Sequence, residues 1–394
     1  MVVVTFACRS VKKCTGGDSR CAKRAQGVWS ASLNVKIETA GKPLRMTDGI
    51  VCALMLVIAR GLAQGPTQGL PSLPSRDAGP KARVVVVHDA NATEAFSPNP
   101  ERVIAMVNQG ITNLSGKPTP MDAWLSLVST QDVVGIKVFS APGPNSGTRP
   151  AVVEAVVKGL LASGLPSSNL IVWDKQLIEL RLAGYIDLAK RYHIRSASSA
   201  QVGYDEDVFY DNPLIGNLTY NDHEFELKGP GVGRKSFVSK LLTRQITKII
   251  SITPLLNHND AGVSGNLLSL AFGSVDNVAR FESNPERLST AVPEIYGLTN
   301  LCDRVALNIV DALICQYEGS ERGLLHYSSI LNQLRFSKDP VALDVLSLQD
   351  LQRQRQATDA PATRTNLELY FNASLLELGV SDLKRIQVDK LECR

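Results

Sequence analysis

His258, Asn259 and Asp260 follow the apolar run Ile249 to Leu256, the place where a strand delivers polar groups to a site. A neutral imidazole there is suited to general-base work or to holding a ligand. Gly262 and Gly265 come next and let the backbone approach a ligand closely, and the residues after them suit a helix start with free N–H groups. Lys137 lies inside VVGIKVF, where a cation near a sheet end can bind a carboxylate or phosphate, and Asp174 directly follows LIVW, where it can orient a base or hold a metal. Asp311 ends the run LNIV, and Asp344 stands one turn after Asp339 and Pro340 in SKDPVALD. These two carboxylates are candidates for a divalent cation held by oxygen ligands. Each residue also has a plainer role: Lys137 paired with an acid, Asp174 capping a helix, His258 bonded to loop backbone, Asp339 as an N-cap.

The elements that must position these groups alternate in type. Arg83 to His88 and Val133 to Phe139 are continuous β-branched runs of strands buried on both faces, and Leu170 to Trp173, Ile194 to Ala197, Ile249 to Ile252 and Val305 to Val310 continue the series. Helices open at Pro100, Pro120 and Pro150, the last with valines and leucines four apart from Val152 to Leu161. Further helices are expected over Leu177 to Tyr192, Leu241 to Lys248, Asp339 to Arg355 and Asn366 to Leu378, with a short closing strand in Ser381 to Val388. The pattern breaks between Gln201 and Lys240, where two alternating segments flank a Gly/Pro turn. The fold class is therefore α/β: a mainly parallel sheet with helices on both faces and a small hairpin-like insertion. In such sheets ligands gather beyond the carboxyl ends of strands, so Lys137, Asp174 and His258 are expected to converge there.

Composition excludes several classes. The chain has 394 residues, 44% of them hydrophobic, enough for a substantial core. Its net charge of +4 is misleading, because residues 1–45 carry +7 and residues 46–394 carry −3. A slightly acidic body lacks the clustered cations that nucleic acid requires. No CxxC pair or HExxH helix occurs, so neither structural zinc nor an iron–sulfur cluster is expected, and Cys302, Cys315 and Cys393 read as free thiols rather than a bridged pair. GPGVGRKS at 229–236 misses the phosphate-loop spacing and reads as a hairpin turn.

At the N-terminus, Lys42 and Arg45 precede the apolar run Ile50 to Ile58, and Gly61-Leu62-Ala63 offers a signal-peptidase site. Residues 1–45 read as a disordered upstream extension, 46–63 as a signal peptide, 64–82 as a flexible leader and 83–394 as the domain. An apolar run of nine residues is too short for a permanent membrane span. The expectation is an exported protein, periplasmic or extracellular.

VVGIKVF, PAVVEAVVKGLLASGL, NLIVWDK, HNDAGVSGNLLSLAFGSVDN, NIVDAL and SKDPVALD occur in the order seen in the family called domain of unknown function 362, which the chain resembles over roughly residues 83–394. The resemblance implies an α/β domain of a kind common in bacteria and often exported. It implies no established reaction or cofactor. Departures are visible: Phe139 and Ser140 follow Lys137 where many members have asparagine, and Leu256, Leu268 and Ser269 replace two lysines and an asparagine. The ferredoxin-like cysteine cluster of some members is absent from the sequence. His258, Gly262 and Gly265 match. The reading is an enzyme-like protein with a small-anion pocket, in which Lys137 holds the anion, His258 moves a proton, and Asp174, Asn259, Gly262 and Gly265 complete the site. A noncatalytic small-ligand or metal binding protein, or a structural protein with a vestigial site, is the alternative.

Overall fold

A computed structural model of the chain describes residues 81–213, 215, 233–320, 322–358, 360 and 365–393. The extension, the signal peptide, nearly all of the leader, the first half of the GPGVGRKS segment and the alternating segment before it lie outside these residues.

Thirteen strands are described, in chain order: β1 (Ala82–His88), β2 (Thr93–Glu94), β3 (Ser97–Pro98), β4 (Val134–Val138), β5 (Leu170–Asp174), β6 (Arg195–Ser198), β7 (Tyr204–Asp211), β8 (Lys235–Ser239), β9 (Lys248–His258), β10 (Gly262–Val263), β11 (Val305–Gln316), β12 (Ser328–Ser337) and β13 (Ile386–Glu392). Eight form the main path of one sheet in the order β13-β1-β12-β11-β9-β4-β5-β6, with β10 paired on β9. Neighbours are parallel except at β12, which is antiparallel to both β1 and β11. The β-branched runs account for this: β4 and β5 are buried at every position, as strands covered on both faces must be. Chain direction across the sheet reverses between β4, followed outward by β5 and β6, and β9, followed by β11. The gap between β4 and β9 is thus the topological switch point.

Helices cover both faces, so the core has two halves. One packs Val103, Met106, Val152, Val156, Leu160 and Tyr185 against Ile136, Ile250 and Ile309. The other packs Leu267, Leu270, Leu288, Val292, Val341 and Leu351 against Trp173, Leu255 and Val310. Helix starts follow the prolines: Pro100–Ser115 is capped by Asn99, Pro120–Leu125 by Thr119, and Pro340–Ala357 by Asp339, while Pro150–Ala162 buries the expected valine stripe.

Several boundaries differ from the sequence reading: β11 runs to Gln316 rather than Val310, the helix expected over Leu241 to Lys248 is Lys240–Arg244, and the closing strand is Ile386–Glu392. The long helix over Leu177 to Tyr192 is two, Leu177–Leu182 and Tyr185–Arg191, because Gly184 adopts φ 86° between them. β9 does not stop at Ile252 but runs to His258, since β10 doubles back on its far end. The strand β12 and the helix Pro285–Tyr296, with Pro293 inside it, are elements the sequence reading did not expect. The insertion is a hairpin, β7 on β8, with Phe209 against Phe237 edge to face. Among the described residues no helix is long and apolar enough to cross a membrane.

Candidate functional site

Lys137 and Asp174 do meet. They end adjacent parallel strands, and the ammonium lies 2.8 Å from Asp174 Oδ1 with both groups buried. Lys137 Nζ also donates to Val138 O at 2.6 Å and to Ser269 Oγ at 3.0 Å, so its three N–H groups are all satisfied. Asp174 accepts a second bond on Oδ1 from Lys175 N and two on Oδ2 from Ser140 N and Oγ. Gly273 makes room for the lysine, because a Cβ there would stand 2.1 Å from Lys137 Cε. The pair is complete without a ligand, and the anion-binding capacity assigned to Lys137 is taken by protein acceptors.

The switch-point crevice is also filled. The segment after β4 folds over it: Thr148 Oγ1 donates to Ile252 O at 2.7 Å and accepts from Phe139 N, while Tyr185 donates to Thr148 O. Arg149 forms a buried ion pair with Asp311 at 3.0 Å and donates to Asn145 O and Ile314 O. Burial beside Asp311 and Asp174 holds the Tyr185 phenol well above its ordinary pKa, so it stays protonated. Asp311 lies on the sheet face of Ile309 and Leu313, whereas Asp344 sits on the Pro340–Ala357 helix over the other face. These two carboxylates therefore do not share a cation, and among the described residues no group of three or more His, Cys, Asp or Glu side chains is placed to hold a metal ion.

His258 stands apart from the Lys137 pair. Ser251 is the register partner of Lys137, and His258 lies seven residues further along β9, about 23 Å at about 3.3 Å per residue. Its Nδ1 accepts from Ala261 N at 3.1 Å and Asp260 N at 3.3 Å, bracing the turn into β10. That bonding requires the Nε2–H tautomer, and burial lowers the imidazole pKa despite Asp260 nearby. Asn259 Oδ1 accepts from Asn257 Nδ2 within the same turn. The plainer reading of His258, a histidine bonded to loop backbone, is what the geometry gives.

Both motif glycines admit protein rather than ligand. Gly262 has φ 91° and faces Leu348, whose Cδ2 would lie 2.5 Å from a Cβ. Gly265 faces the Asp344 carboxylate at 2.3 Å from the same construction. Asp344 accepts from Asn266 N at 2.8 Å and Leu267 N at 3.0 Å, so the anion at this helix start comes from the chain itself. Burial pushes its carboxyl up to about 7 even against those two donors.

Two cations that the sequence reading passed over are less fully engaged. Lys175 follows Asp174 and reaches Asp276 O at 2.9 Å, its one hydrogen-bond acceptor among the described residues. Burial lowers its amine to about 8, although Glu282, Asp276, Asp174 and Glu179 all pull the other way. Arg280 closes the short turn Val278–Arg280 and is buried beside the base of the hairpin. Only the adjacency of Lys175 to the strand end could have singled it out; a buried arginine inside VDNVARFE carries no pattern. Surface grooves lie elsewhere: one of about 1110 Å³ is bordered by Arg83, Asp339, Phe371 and Asp382, one of about 620 Å³ by Gln109, Lys390 and Glu392, and one of about 530 Å³ by Tyr296, Cys302 and Lys338. The three described cysteines are free thiols, and burial raises the pKa of Cys315 to about 11.

The profile of the family described as Domain of unknown function (DUF362) matches residues 134–349, which contain Lys137, Asp174, Lys175, His258, Arg280 and Asp344. No curated protein matches the chain. The crystal structure of a Thermotoga maritima protein, a structural genomics target, resembles 68% of this chain at 10% identity and a TM-score of 0.38; the chain spans 61% of that protein's length.

Proposed function

The chain belongs to this family of unknown function, and from that premise we propose that it is an exported protein that works on a small molecule at the carboxyl end of its sheet, with Lys175 as the proton-carrying group. The observation that carries this reading is the setting of that amine. It sits at the end of β5, half-buried, with one backbone acceptor and an amine lowered to about 8. At pH 7 roughly one such amine in ten is neutral, a useful fraction for taking up a proton in a reaction step. Four nearby carboxylates repel negative charge, so the part of the substrate that exchanges the proton is uncharged. Export rests on residues 46–63 alone.

The test is the pH dependence of Lys175 acylation by acetic anhydride, followed by mass spectrometry. A midpoint near 8, with the surface lysines titrating near 10.5, is expected. A Lys175 midpoint alongside the surface lysines would remove the proposal. A second reading, a structural protein with a vestigial site, is favoured by the saturated bonding of Lys137 and the bracing role of His258. It predicts that Lys175→Met leaves every small-molecule turnover or binding signal unchanged.

A further inference from the structure

We propose that Arg280 is the residue that holds the anionic handle of the ligand: the edge formed by its Nε and Nη2 receives the paired oxygens of a carboxylate or phosphoryl group beneath the β7–β8 hairpin. This deepens the preceding reading by naming a substrate class, and rests on it only for the link to Lys175; the anion site itself is measurable without that lysine.

Arg280 is 1% exposed. Its Nη1 donates to Gly233 O at 3.3 Å and its guanidinium carbon lies 5.6 Å from the centre of the Tyr210 ring. Nε and Nη2 are buried, and neither has a hydrogen-bond partner among the described residues. Leaving one edge of a buried guanidinium without acceptors is expensive, because those N–H groups have left water without replacing its hydrogen bonds. The nearby carboxylates do not fill the edge. Asp211 is bonded by Arg234, Asp276 Oδ1 accepts from Phe237 N and Asn277 N, and Glu294 Oε2 accepts from Tyr210 and Asn212.

Other buried cations show the contrast. Lys137 has three acceptors, Arg149 has Asp311 and two carbonyls, and Arg335 has Asp350 and Gln333. Among the described residues, Arg280 is the buried cation with both nitrogens of one edge unpartnered. The Nε–Nη2 edge presents two parallel N–H groups at the spacing of two oxygens on one carbon or phosphorus, a match lysine cannot make. Gly233, which supplies the one carbonyl, is open on its side-chain side: a Cβ there would meet no atom within 4 Å. Lys175 donates to the carbonyl of Asp276, at the start of the segment that Arg280 ends, so residues 276–280 link the two cations along the chain.

The experiment follows the side-chain Nε–H resonances of the full chain by NMR, with the Arg280 signal assigned from its loss in Arg280→Lys. Inorganic phosphate and acetate are titrated separately. A saturable shift of the Arg280 signal is expected with at least one of them, and binding at least about tenfold weaker in Arg280→Lys, which keeps the charge but not the fork. Saturation by phosphate alone identifies a phosphoryl handle, and by acetate alone a carboxylate. An Arg280 signal indifferent to both anions while it exchanges with water means the edge is merely hydrated and overturns the proposal. Repeating the titration in Lys175→Met separates the two ideas: the shift persists there whether or not Lys175 is the proton carrier.

Discussion

Asp344 lies against Gly265 so closely that a Cβ on the glycine would stand 2.3 Å from Oδ1 and 2.4 Å from Cγ. The carboxylate reaches across from a second helix to the first N–H groups of Asn266–Ser274. Gly265 has an ordinary extended backbone, φ −85° and ψ −170°, so alanine there brings no conformational strain of its own. Gly265→Ala should therefore report the clash alone, a loss of about 1–3 kcal/mol in urea unfolding. In an Asp344→Ala background the same substitution should cost distinctly less, because the group it strikes is gone. Equal costs in the two backgrounds would show that the contact does not matter.

The same carboxylate makes stability depend on pH. Its pKa rises from 3.8 in the unfolded chain to about 7 in the folded one, chiefly through burial. The folded state then binds the proton more tightly, so this group's contribution falls as pH rises from 3.8 through about 7 and levels off beyond. Asp344→Asn has no such proton. Urea midpoints at pH 5 and pH 8 should differ more in the wild type than in the variant, with the wild type losing ground at pH 8. Parallel pH profiles for the two proteins would refute this.

These two predictions also mark how far the sequence could be read. The sheet and most helices were legible, because buried parallel strands need runs such as Arg83 to His88 and helix starts keep their prolines. The pairing of Lys137 with Asp174 was legible as convergence of two strand ends. The partner of Gly265 was not: Asp344 is 78 residues from Asn266, and nothing local says that a distant carboxylate will occupy a helix start. Glycine and free N–H groups look the same in sequence whether the incoming anion is a ligand or the protein's own side chain. The seven residues of β9 beyond Ser251 likewise separated His258 from Lys137, because a strand end was placed at Ile252 where the strand continues.

The Lys137–Asp174 pair should behave as structure. Lys137→Met removes the partner of a buried carboxylate and strands the Val138 and Ser269 oxygens, which should lower stability by about 3–5 kcal/mol. Lys137→Met with Asp174→Leu should lose much less than the two single losses combined, since neither charge is then left alone. Chemical denaturation of the four proteins measures this. Additive losses would mean the two groups are not coupled, and would reopen a ligand role for the lysine.

His258 gives the last prediction, and its sign is opposite to that of Asp344. Nδ1 accepts two backbone N–H groups, so protonating the ring would break both bonds, and burial already depresses its pKa below 6.5. The unfolded chain therefore binds this proton more readily, and the stability His258 contributes, complete above pH 6.5, is lost as pH falls below that value toward the lower folded pKa. His258→Asn offers a side-chain oxygen at nearly the position of Nδ1 and cannot be protonated in this range. It should fold, hold the same turn, and lack the acid-sensitive component that the wild type shows below pH 6.5. His258→Leu, with no acceptor, should be less stable at every pH by about 1–3 kcal/mol for the two N–H groups left without a partner. If His258→Asn instead abolishes a small-molecule turnover while leaving stability and its pH profile unchanged, the ring is acting on substrate rather than on its own loop, and the bracing role fails.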